Sequence, residues 1–330
     1  STLVVSISLA ILSYHRYRTN LHRTPRSSSR SEVPLIAAAL TFAIAFPSEP
    51  LWSLAWNIFD GSLSLVLLED AMAILLSSRD QHWGTTVGCA LLLLSALSCA
   101  RFGILLALVL FALKAFWPGR STGKDALIRR PPFRWLFILA TFLLGLSHFI
   151  HIWIAEKLLG VSLLGQSVLY RMGLTHYFRE RGQDDIDYHT PLSTFTFMWR
   201  QSEEAIAELP TWMNTYHLLI WVLGLLSFVF IVAKRENFVG KLYWDVLLLL
   251  PLAWSVVLNQ SSAEHPDLVG IVWLPAYVLG LSSSLTALYS LLAARARKAA
   301  AFWIVASLAF LLFFWQIQYF LRAYPQLQGS

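Results

Sequence analysis

In the apolar run LLLLSALSCARFGILLALVLFALKAF, residues 91–116, a single guanidinium, Arg101, sits near the middle. An arginine in such surroundings has two readings. It anchors a helix end by reaching toward phosphate headgroups, or it is a ligand for an anionic group held at the membrane interface. Other residues also have types and spacings that can do chemistry. The segment SSAEHPDLVG at 261–270 places Glu264, His265 and Asp267 within four residues, a cluster that suits hydrogen-bonded turn chemistry as well as a site. His148 and His151 share a helix face in HFIH. No carboxylate or cysteine pair stands on an obvious partner helix, so polar lining of a cavity fits them better than a metal. Glu69 and Asp70 lie inside an apolar stretch, where charge is costly and must face protein or water. The acidic, turn-rich GQDDIDYHTPL at 182–192 adds Asp187, Tyr188 and His189.

The soluble-enzyme motifs are missing: no phosphate-binding glycine loop, dinucleotide fingerprint, HExxH or paired CxxC occurs in the sequence. The two cysteines, Cys89 and Cys99, fall in apolar sequence and read as inert core thiols. No cofactor is evident, and nothing points to nucleic acid.

The elements that must position these residues follow from composition. The chain is 57% hydrophobic and only 13% charged, with a mean hydropathy of +0.59. This is an integral membrane composition, and the 14 Trp and 11 Tyr suit the belts where hydrocarbon meets water. A span takes about 20 apolar residues to cross about 30 Å. Apolar stretches at 2–14, 33–47, 54–77, 83–100, 102–117, 135–155, 216–233, 242–258, 268–291 and 300–321 predict about ten transmembrane helices in an all-α, polytopic protein. The stretch 83–117 would be about 50 Å long as one helix, so it is divided in two with Arg101 at the turn.

Charge parity supports the division. With the first stretch running inward, the cytoplasmic loops are 15–32, 78–82, 118–134, 234–241 and 292–299, and with Lys114 they hold 18 of the 25 Lys and Arg. That satisfies the positive-inside tendency and leaves Arg101 at the outer face. The outside is acidic, so chemistry is expected there. One outer connection, 156–215, is too long for a structureless loop. Its apolar periodicity predicts interfacial helices forming a cap. The chain thus divides into a first membrane half (1–155), an extracytoplasmic cap (156–215) and C-terminal membrane helices (216–330). The expected location is the cytoplasmic (inner) membrane.

The order of these features resembles the GT-C superfamily of membrane glycosyltransferases, which includes protein O-mannosyltransferases and aminoarabinose lipid A transferases. SLAILSYHRYR resembles the family's second span with its basic exit. AAALTFAIAFPSEPLWSLAWNIFDGSLSLVLLEDAMAILLSSRDQHW resembles the third span, its proline-ended outer loop and the return. LLLSALSCARFGILLALVLFAL resembles the adjoining hairpin, and EHPDLVGIVWLPAYVLGLSSSLTALYSL the late outer loop and proline-containing span. The family's first outer loop, which carries its essential acid, has no counterpart in this sequence, because the alignment begins at the second span.

The resemblance implies transfer of a sugar from a polyprenyl-phosphate donor at the extracytoplasmic face. A carboxylate would deprotonate the acceptor hydroxyl and a cation would stabilise the leaving phosphate. Arg101 takes the phosphate role, since its fork suits phosphate oxygens. Asp60 and Glu49, at the outer ends of the second and third spans, are the nearest replacement acids. Asp187, Tyr188 and His189 become acceptor contacts on the cap, with Glu264 and His265 as further substrate-binding candidates. Expected partners are membrane lipids, the lipid-linked sugar and other membrane proteins. A different class fits the same helices: a non-catalytic scaffold subunit of a larger complex, burying Trp-rich faces against its partners. A transporter fits less well, because no inverted repeat is seen.

Overall fold

The computed structural model of the protein describes residues 2–21, 32–48, 64, 66–71, 74, 82–98, 153–154, 157–158, 211–234, 241–257, 266–295 and 297–323. Among these residues secondary structure is helical throughout, with no strand. Helix α1 (Thr2–Leu21) continues past the apolar stretch that ends at 14. Its last turns keep apolar character through side-chain stems and rings: the Arg16 guanidinium lies 5.1 Å from the centre of the Tyr17 ring and that of Arg18 6.0 Å from Tyr14. Arg16 and Arg18, expected in a loop, are therefore helical. Helix α2 (Val33–Ala45) has Pro34 in its first turn, where a missing N–H is tolerated. It ends before Pro47, with the Ser48 amide and hydroxyl both donating to the Ala45 carbonyl, at 3.1 and 2.6 Å.

Helix α3 is described over His82–Ser98. Its Ser95 hydroxyl donates to the Ser64 carbonyl at 2.6 Å, and the Ser64 hydroxyl returns a bond to the Ser95 carbonyl. Apolar surroundings make such reciprocal pairing the natural outlet for a serine.

The C-terminal part contains α4 (Thr211–Lys234), α5 (Lys241–Val257), α6 (Pro266–Arg295) and α7 (Lys298–Ala323). Three of these helices, α4, α6 and α7, are long and apolar enough to cross a membrane. Each matches an expected span, extended by a few residues at the ends. Helix α4 starts at Thr211 rather than 216, and the added turn carries Trp212, an amphipathic ring that tolerates the interface.

Helix α6 is the centre of the bundle. It packs against α1, α2, α4, α5 and α7, and 78% of its apolar window is buried, against 22% for α4 and α7. The reason is written in its small residues. At Gly280 a Cβ would overlap the Gly224 carbonyl oxygen and lie 2.8 Å from the Phe228 nitrogen, so α4 and α6 touch backbone to backbone. One turn further on, Ser284 donates to Ser227 at 2.8 Å. Small residues spaced this way are what lets membrane helices approach closely. The hydroxyls along SSSLTALYS are largely satisfied by their own helix: Thr286 bonds to the Ser282 carbonyl at 2.7 Å and Ser290 to that of Thr286 at 2.9 Å.

The contacts fix helix directions. Trp221 meets Tyr277 and Ser227 meets Ser284, so α4 and α6 run parallel. Gln316 bonds Tyr277 on α6, while Lys298 pairs with Glu32 just before α2 at 2.7 Å. Helix α7 is thus antiparallel to α6, and its start lies beside the start of α2. Arg16, near the end of α1, lies 5.0 Å from the Trp244 ring near the start of α5. The last turns of α1, α4 and α6 and the first turns of α2, α5 and α7 therefore lie toward one end of the bundle. The sequences before α4 and before α6, and the exit of α7, belong to the other end. This is the alternation expected from charge parity for these helices.

Candidate functional site

The residues singled out from sequence, Glu49, Asp60, Arg101, Asp187, Tyr188, His189, Glu264 and His265, lie outside the described residues, as do His148 and His151. Glu264 and His265 immediately precede Pro266, the first residue of α6. Of the two acids expected inside a span, Glu69 is fully buried and neither carboxylate oxygen has a hydrogen-bond partner among the described residues, while Asp70 is half-buried. No group of three or more His, Cys, Asp or Glu among the described residues is arranged to hold a metal ion.

The structure assembles a polar and aromatic site that the sequence reading did not name. It runs from the first turns of α4 and the last turns of α7 inward to Tyr277, near the middle of α6. His217 on α4 lies flat against Tyr319 on α7, with ring centres 3.7 Å apart and planes within 2°. One turn along α4, Trp221 stacks on Tyr277 of α6 at 4.0 Å and 14°. The Gln316 amide of α7 donates to the Tyr277 hydroxyl at 2.9 Å. These contacts close a ring, because His217 and Trp221 are four apart on α4 and Gln316 and Tyr319 three apart on α7, the spacings that share a helix face. The Tyr319 hydroxyl donates to Asn214 at 3.4 Å, and Arg322 approaches the Met213 sulfur at 3.9 Å. Around the rim Trp212, Tyr216 and Trp315 cluster with centroids 5.8 to 6.3 Å apart, Tyr216 edge-to-face with both tryptophans and the two indoles tilted.

Two atoms of this ring stand out chemically. Gln316 is 2% exposed, and its carbonyl oxygen Oε1 has no hydrogen-bond partner among the described residues; nor does His217 Nδ1. Buried polar atoms ordinarily find partners. An amide oxygen accepts, and an imidazole nitrogen either accepts or donates according to tautomer. The pair presents hydrogen-bonding capacity within an aromatic enclosure.

At the opposite end a second buried polar contact serves cohesion. Arg16, 7% exposed, donates to the Ser283 hydroxyl of α6 while its guanidinium lies over Trp244. The charge is spread between a hydroxyl and an aromatic face, binding α1, α5 and α6 together. Comparison with protein families, curated proteins and solved structures gives no match to this chain.

Proposed function

We propose that this protein is a GT-C-like membrane glycosyltransferase module that takes a sugar from a polyprenyl-phosphate donor at the extracytoplasmic face of the cytoplasmic membrane. The observation that carries the reading is the polarity of the bundle. The basic sequences between α1 and α2, α4 and α5, and α6 and α7 enter at one end. Helices α4 and α6 begin at the other, preceded in the sequence by the long 156–215 segment and by Glu264 and His265, and His217 and Tyr319 of the aromatic and polar ring lie toward that end. The positive-inside tendency orients the ring and the acidic segments outward, which is where a lipid-linked sugar donor presents its headgroup.

In this mechanism Arg101 holds the donor phosphate through a bidentate fork and stabilises the charge that develops as the glycosyl–phosphate bond breaks. Asp60, with Glu49 as the second candidate, accepts the proton of the acceptor hydroxyl. The 156–215 segment, with Asp187, Tyr188 and His189, receives the acceptor.

The test is binding of undecaprenyl phosphate to the purified protein, with thermal stability followed in parallel. Arg101→Lys should bind more weakly despite keeping its charge, and Arg101→Gln more weakly still, with both folded. Equal affinity in wild type and both variants removes the phosphate role and favours the scaffold-subunit reading.

A further inference from the structure

Helices α4 and α7 both turn a long face outward, and the two faces differ in chemistry. Along α4 every exposed residue from Leu218 to Ala233 is Leu, Val, Phe or Ala, a surface that acyl chains cover as well as protein does. Along α7 the exposed residues Ile304, Ser307, Leu311, Phe314, Gln318 and Leu321 follow one another at alternating intervals of three and four. Ser307 and Gln318 make that stripe partly polar. We propose that it is a homodimer interface, in which α7 packs against α7 of a second copy about a two-fold axis normal to the membrane and the two Gln318 amides bond each other.

The polar members point to protein as the occupant. Hydrocarbon offers an amide nothing to bond, and polar side chains on membrane helices characteristically join one helix to another. Gln318 lies four residues before Arg322 on α7, about 6 Å further into the span at 1.5 Å per residue, and Ser307 lies about 22 Å in. The two glutamines of WQIQYF serve different surfaces. Gln316 is 2% exposed and bonds Tyr277 within the bundle, whereas Gln318 is turned outward.

The chemistry of the stripe selects a second copy. Two copies in one membrane share an orientation, so a two-fold axis along the membrane normal sets their α7 helices parallel and brings each position opposite its own counterpart. A primary amide suits that symmetry, because it carries both donors and an acceptor; Gln318 donates to the partner's Gln318 and accepts from it. A carboxylate or an ammonium in the same place would repel its copy. The charges of α7, Lys298 and Arg322, stand at its two ends and leave the stripe between them neutral. Alternation of three and four is the a/d repeat of paired helices, in which a single polar position sets register, and Ser307 is small enough to let the helices close in mid-span.

The experiment uses the full chain carrying Cys89→Ser and Cys99→Ser, first in native membranes and then in lipid vesicles, so that one introduced cysteine reports. On mild oxidation Leu311→Cys should form a disulfide-linked homodimer, while Leu226→Cys, 63% exposed on the apolar face of α4, should stay monomeric. Energy transfer between labelled copies, measured as the protein is diluted with lipid, gives the dimer Kd. Gln318→Leu should raise it about tenfold, and Leu226→Ala should leave it unchanged, with helical content checked by circular dichroism for each. A monomer in vesicles, a Leu311→Cys adduct with a different protein, equal cross-linking from Leu226→Cys, or a Gln318→Leu dimer as tight as wild type overturns the assignment. The glycosyltransferase reading is independent of all these results.

Discussion

Replacing Gly280 with alanine adds one methyl group at the place where α4 and α6 are closest. The new Cβ would overlap the Gly224 carbonyl oxygen and stand 2.8 Å from the Phe228 nitrogen, where ordinary contact needs about 3.5 Å or more. The obstacle is backbone, so no side-chain rotation relieves it, and the two helices must part. Separation also stretches the Ser284–Ser227 hydrogen bond, now 2.8 Å, and loosens the stack of Trp221 on Tyr277. Overpacking of a tight core costs about 1–3 kcal/mol, and a value near 2 lowers the folding constant about 25-fold at 1.4 kcal/mol per decade. Ser284→Ala removes the hydrogen bond alone and should cost about 0.6 kcal/mol, the mean for such bonds in membranes. Leu308→Ala, on the outer face of α7 at 38% exposure, should fall within about 0.5 kcal/mol of wild type. Reversible unfolding in mixed micelles of increasing dodecyl sulfate fraction, followed by tryptophan fluorescence, gives all three. If Gly280→Ala proves no more destabilising than Ser284→Ala, the backbone contact is not where the structure puts it.

Other perturbations test other parts of the bundle. Arg16→Lys should destabilise by about 1–2 kcal/mol in the same assay, since an ammonium cannot both stack on Trp244 and reach Ser283 as the planar fork does; a neutral effect would deny the cohesive role. Glu32→Gln should leave the unfolding midpoint unchanged, because both members of its pair with Lys298 are close to half exposed, at 45% and 48%; a clear shift of the midpoint would mean the pair is shielded. Cysteines at Ser227 and Ser284 should cross-link on oxidation, while the pair Ser227 and Ser290 should not, which checks the parallel register of α4 and α6 on a gel. Single cysteines at Ser27, Thr122 and Ala296 should resist an impermeant thiol reagent in intact cells while those at Ser202 and Ser262 react; labelling of the first three would invert the proposed orientation.

Hydropathy located the described helices well because each is a long apolar run bounded by charge or proline. Pro34, Pro47 and Pro266 mark ends that the structure keeps. It placed the end of α1 too early, since a scale that scores residues singly cannot see that Arg16 finds Ser283 and Trp244 on distant helices. The aromatic and polar ring escaped for a related reason. Its members sit on three helices, with Asn214 and Tyr319 separated by 105 positions, and each looks alone like a minor interruption of an apolar span. A usable signal was present in NTYHLLIW and WQIQYF, where polar and aromatic residues recur at three and four positions on one helix face. Those intervals, read as shared faces rather than as breaks, would have nominated α4 and α7 as neighbours of a site. Arg101 and the acidic candidates belong to sequence outside the described residues, so their roles rest on the resemblance and the charge pattern.

The hydrogen bond between Arg16 and Ser283 joins residues 267 positions apart. At about 5–20 residues per second of synthesis, roughly 13–53 s separate the emergence of the arginine from that of the serine that receives it. Throughout that interval α1 exists before the serine hydroxyl that its Arg16 guanidinium reaches in the finished bundle. Trp244 of α5 is made first and Ser283 of α6 follows, so the full set of Arg16 contacts needs both helices. A contact that ties the first helix to the centre of the bundle is therefore made late in synthesis, with only α7 still to follow.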